Sequence, residues 1–153
     1  MIKKKALYVK SSVTINGTAA QVWDALTNPE QTKKYMFGCE TVSDWKVGSA
    51  LLWKMEYEGK ELIAVKGNIV EIKPNEILSY TTIDPESEVE DIPENYLTVR
   101  YQLNREKDHI LLVVSQGDYS LVADGKQRYE EAYNDGEGWN PILIEIKKLV
   151  ESM

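Results

Sequence analysis

The chain has 153 residues, 42% of them hydrophobic and 28% charged, enough apolar material for one core and too much for a disordered chain. With 18 Lys and Arg against 25 Asp and Glu the net charge is −7, which disfavours phosphate-driven nucleic-acid binding and docking on anionic membranes. The single cysteine, Cys39, rules out an internal disulfide and a Cys-based zinc site within one chain. One domain over residues 1–153 is expected.

Met1–Lys5 is basic, but Lys10, Ser11, Ser12 and Thr14 interrupt the apolar residues that follow, so no secretory leader is expected. No apolar run reaches the length of a membrane span. The expected location is the cytoplasm.

Residues 6–15 alternate, with Leu7, Val9, Ser11, Val13 and Ile15 on one side, which predicts a half-buried strand. Thr18-Ala-Ala-Gln21 is a capping box, and Asn28-Pro29 a second helix start, so two short helices are predicted over 18–27 and 29–36. Strands are then expected at 41–44, 50–58, 61–72, 77–83, 96–103 and 110–116. Gly59-Lys60 suggests a tight hairpin, and Gly67 a bulge in the long strand. Short turns between neighbours imply an antiparallel meander. Residues 84–95, with six carboxylates and two prolines, predict a mobile surface loop, and their spacing does not fit a calcium loop. Residues 127–133 suggest a short helical piece. Trp139, Ile142, Leu143, Ile146, Leu149 and Val150 fall at helical spacing and predict an amphipathic C-terminal helix.

An antiparallel sheet with one apolar face must be covered, and that helix has the stripe to cover it. Trp53, Met55 and Tyr57 would form a wide, polarisable apolar wall, joined by Tyr80, Tyr101, Trp139 and Leu143. Two readings stay open: a pocket whose rings stack on a greasy ligand, or a filled core. Four Trp and nine Tyr against one Phe favour the pocket, since a dry core has no use for so many polar tips. Trp23 reads as a core anchor, Trp45 as a residue near the mouth, and Met36 and Phe37 as part of a plug. Arg100 and Lys66 are expected on the wet face. His109 sits in a charged turn, and Cys39 lacks a local base, so neither reads as catalytic. No phosphate loop, metal-ligand cluster or serine elbow is present in the sequence, so neither cofactor nor metal is expected.

Three stretches carry a family resemblance. Val13–Glu30 is similar to the opening strand, "VW" helix and "TNPE" turn of the SRPBCC or START-like superfamily. Gly67–Leu78 resembles its "G-x-V-x-E-I-x-P" strand and turn, and Gly138-Trp139 its "GW" signature. Within the superfamily the chain looks like the branch of the activator of heat-shock protein 90 ATPase. The resemblance implies an α+β helix-grip fold. Its features are a curved antiparallel sheet of about seven strands, two short helices between the first two, and a C-terminal helix over the concave face above a hydrophobic cavity. It also implies three kinds of function: binding of a small hydrophobic or aromatic molecule, co-chaperone-like protein interaction with a stress-response role, and aromatase/cyclase chemistry. A binding module is expected ahead of an enzyme, as monomer or homodimer, with a small hydrophobic molecule as the first partner and a chaperone as the alternative.

Overall fold

The computed structural model describes residues 5–153; the basic start at 1–4 lies outside the described residues. Seven strands form one antiparallel sheet: β1 (Val9–Ile15), β2 (Glu40–Ser43), β3 (Ala50–Tyr57), β4 (Lys60–Lys73), β5 (Ile77–Thr82), β6 (Leu97–Arg105) and β7 (Ile110–Gly117). Their spatial order is β1-β7-β6-β5-β4-β3-β2. Every strand after β2 lies beside its predecessor, and β1 closes onto β7 with Val9 opposite Gln116 and Ile15 opposite Ile110. The helices are α1 (Ala19–Thr27), α2 (Pro29–Tyr35), α3 (Gly125–Tyr133) and α4 (Asn140–Glu151).

Local chemistry accounts for the helix starts. The Thr18 hydroxyl accepts from the Gln21 amide at 3.1 Å, and the Gln21 side chain accepts from the Thr18 amide at 3.0 Å. The Asn28 side chain accepts from the Glu30 amide at 3.0 Å, with Pro29 at the first helical position. The α1–α2 pair is tied internally by the buried Tyr35 hydroxyl, which donates to the Ala25 carbonyl at 2.7 Å.

Helix α4 lies across the inner face and is pinned at both ends. At its start the Trp139 amide donates to the Ser11 hydroxyl at 3.2 Å, and its indole donates to Gln116 Oε1 at 3.1 Å. At its end Lys147 donates to the Thr14 carbonyl, and Glu151 accepts from the Asn16 amide at 2.8 Å. Leu143, Ile146 and Val150 face the sheet and are fully buried. They meet the alternating inward residues of the strands, such as Leu97, Val99, Tyr101 and Leu103 on β6 and Leu112 and Val114 on β7. Twelve residues at 1.5 Å each make a helix of about 18 Å, which covers only part of the sheet.

Several boundaries differ from the sequence reading. The β3–β4 hairpin turns at Glu58-Gly59, both with positive φ (51° and 77°), one residue before the expected site. The phase of β4 breaks at two bulges flanking Gly67, where Ala64 and Val70 are the extra residues in the pairings with β3 and β5. Gly67 itself is required for a different reason. A Cβ there would stand 1.7 Å from the Thr81 carbonyl oxygen, so only glycine lets β5 approach. Helix α3 begins at Gly125, two residues before the predicted 127.

The acidic segment between β5 and β6 is expected to be a loose loop, yet its second half is anchored. Asn95 is buried, with its side-chain Nδ2 donating to the Glu90 carbonyl and its side-chain oxygen accepting from the Ala123 amide at 3.0 Å. Asp91 pairs with Lys66 and accepts from the Tyr96 hydroxyl at 2.6 Å.

Candidate functional site

Because α4 is short, one part of the inner face stays uncovered. The result is a cleft of about 350 Å³ between the start of α4, the end of α2 and strands β3–β7. Trp139 and Ile142 form its roof, and Met36 and Phe37 stand at one side with Cys39 below them. Trp53 and Met55 come from β3, Tyr80 and Thr82 from β5. The bulge at Ala64 explains why both Ala64 and Val65 reach it: an extra residue breaks the alternation, so two consecutive side chains share the wall. Val99 and Gln116 complete the floor.

Four of the seven side chains singled out in the sequence, Trp53, Met55, Tyr80 and Trp139, come together here. Tyr57 does not. It alternates in phase with them but sits at the hairpin tip, 59% exposed, beyond the part of the sheet that anything covers. Tyr101 lies beneath the floor, and Leu143 is packed between α4 and the sheet with no exposure. Sequence reasoning missed Val65, Thr82, Val99 and Gln116, whose only signal was their place on inward strand positions, and Ala64, which reaches the wall only through the bulge.

The rings form a continuous track. Trp53 and Tyr80 have centroids 6.1 Å apart, Tyr80 and Tyr101 6.5 Å, and Tyr101 meets Trp139 edge-on at 5.9 Å. Tyr101 and Tyr80 are each 2% exposed. The two hydroxyls are neighbours, but no hydrogen bond of proper geometry joins them, and the buried Tyr101 hydroxyl has no partner among the described residues. Burial pushes the phenols of Tyr35, Tyr80 and Tyr101 well above the usual tyrosine range, and each of Tyr35 and Tyr101 further discourages charge on Tyr80. Burial also raises the Cys39 thiol. Both titratable groups lining the cleft, Cys39 and Tyr80, are therefore neutral near pH 7.

Other candidate positions lie elsewhere. Arg100 faces outward, bonded to Gln102 at 2.9 Å and near Glu71, and Lys66 pairs with Asp91. Trp23 is half-buried against the core, and Trp45 is half-buried away from the cleft. His109 is half-buried in its charged turn. A larger depression of about 560 Å³ beside the β3–β4 hairpin is lined by Glu40, Lys54, Glu56 and Glu61; its charged, open surface suits water better than an apolar guest. No cluster of potential metal ligands occurs among the described residues. No helix among them is long and apolar enough to cross a membrane.

Residues 16–151 match the family described as Activator of Hsp90 ATPase homolog 1-like protein. The chain belongs to this family. The α+β helix-grip architecture anticipated from the resemblance is the one observed. Among solved structures, ChR145 from Cytophaga hutchinsonii is 33% identical and superposes with a TM-score of 0.74, covering 98% of this chain and 97% of that one. MLL2253 from Mesorhizobium loti is 17% identical with a TM-score of 0.70, covering 95% and 98%. The Aha1 dimer from Colwellia psychrerythraea is 15% identical with a TM-score of 0.67, covering 95% and 96%. The last two show the fold alone. A comparison with proteins of curated function finds no significant match.

Proposed function

We propose that this Aha1-like domain binds a small hydrophobic or aromatic molecule in the cleft beneath the start of α4. The observation that supports this reading is the cleft itself. It offers about 350 Å³ lined by Trp53, Met55, Tyr80, Trp139 and Ile142, within the size range of small-molecule sites. A filled core would bring these rings into contact with one another alone; here they border free space. Binding is favoured over acid–base catalysis because neither titratable lining group ionises near neutrality.

The test is a ligand screen by thermal shift, run beside the cleft-filling variant Ala64→Trp. A ligand at 100 times its Kd adds about 2.7 kcal/mol of stability. The expected result is a shift for at least one hydrophobic or aromatic class in the parent protein and none in the variant. No shift for any class, or an equal shift in the filled variant, would defeat the reading.

A second reading, co-chaperone-like protein interaction in a stress response, rests on the family, which is named for activation of the Hsp90 ATPase. A pull-down with a bacterial chaperone tests it, and the Colwellia homologue's dimer makes sedimentation of the free protein the companion measurement.

A further inference from the structure

The polar groups of the cleft are all neutral, and each of those left without a partner can donate a hydrogen bond. An indole N–H can only donate, so the Gln116 amide must turn its oxygen to Trp139; this leaves the Gln116 amino group without a partner among the described residues at the wall. The Thr82 hydroxyl, on the same wall, makes no hydrogen bond among the described residues. Tyr80 adds a phenol to the same wall, and Tyr101, its ring 6.5 Å from that of Tyr80, has a buried hydroxyl without a partner among the described residues. Among the described residues only the Tyr101 hydroxyl is buried without a partner; the other groups stay open to the cleft, where an accepting guest can meet them.

We infer that the cleft selects uncharged aromatic ligands bearing a hydrogen-bond acceptor, and that the Tyr80 hydroxyl is the donor that meets it. Tyr80 donates to the ligand oxygen. Gln116 offers a second donor across the ring track. Among the described residues no Lys, Arg or His lines the cleft, so a carboxylate of the same shape would be stripped of water with no cation to meet it. The net charge of −7 opposes its approach as well. This specificity rests on the small-molecule reading above and goes one step further, to the chemistry of the guest.

Three probes of one shape separate the possibilities: 2-acetylnaphthalene, 2-ethylnaphthalene and 2-naphthoate, titrated by isothermal calorimetry into the parent protein and Tyr80→Phe. The ketone is expected to bind about tenfold more tightly than the hydrocarbon, and the carboxylate at least about a hundredfold more weakly than the ketone. In Tyr80→Phe the ketone should lose most of its advantage over the hydrocarbon, whose unchanged binding shows that the variant is folded; an undiminished advantage would overturn the role of Tyr80. Equal binding of ketone and hydrocarbon in the parent protein would overturn the selection for an acceptor. Carboxylate binding as tight as the ketone's would overturn the selection for neutral guests. Binding of none of the three would overturn the selection for aromatic guests, while the small-molecule reading is decided separately by the ligand screen.

Discussion

Gly67 is the residue on which the course of the sheet depends most sharply. The Thr81 carbonyl oxygen occupies the space of a side chain, and the Thr81 hydroxyl accepts from the Asn68 amide at 2.9 Å in place of a regular ladder bond. Backbone cannot move aside as a flexible side chain does. Gly67→Ala is therefore expected to lower stability by about 3 kcal/mol or to prevent folding, read from the urea midpoint. Gly48→Ala is the control: φ is +88° there with open space around the missing Cβ, so backbone strain alone is expected to cost about 1 kcal/mol. From sequence alone Gly67 reads as a bulge, because a glycine that interrupts an apolar strand signals either irregularity or close approach. The chain segment that does the approaching is Thr81, and nothing local to Gly67 names it. The same limit explains Tyr57, whose strand phase was legible and whose distance from any covering element was not.

At the scale of the element, what was legible is what local hydrogen bonding decides. The capping box at Thr18 and Gln21 is present as written, and so is the Asn28-Pro29 start. Thr18→Ala should cost about 1 kcal/mol in urea unfolding, with the fold unchanged by circular dichroism. What was not legible is pairing: Ala64 and Val70 become bulges only because β3 and β5 hold registers on either side of β4. A comparable long-range device fixes the approach to β1. One Asp118 carboxylate oxygen accepts from the Leu7 amide and the Ser120 amide, each at 2.9 Å, and from the Ser120 hydroxyl at 2.7 Å. These bonds, the Leu7 amide first, hold the Asp118 carboxyl below its ordinary range. A group lowered in the folded state stabilises above its unfolded pKa and stops doing so as pH falls through the folded value. Asp118→Asn is thus expected to be less stable than the parent at pH 7, with the gap between their urea midpoints narrowing as pH drops below about 4. A gap independent of pH would mean that the carboxylate charge contributes nothing.

For the whole molecule, the question is whether the space beneath α4 is one continuous core or a core beside a cleft. The aromatic residues alone leave both open in the sequence, because an inward Trp or Tyr serves either. The structure separates them along α4 by two adjacent positions: Leu143 is fully buried over the sheet, whereas Ile142 is half-buried at the cleft roof. Truncating a side chain packed on all sides removes contacts that the neighbours cannot restore, so Leu143→Ala should cost about 2–5 kcal/mol. Ile142 already borders empty volume on one side, so Ile142→Ala should cost less than about 1.5 kcal/mol while widening the site. Urea midpoints with unchanged m values compare the two directly. Equal losses would mean that the roof is packed as tightly as the core and that no guest fits between Trp53 and Trp139. Unequal losses in the stated order would mark the boundary where the helix stops stabilising the fold and begins to frame a site.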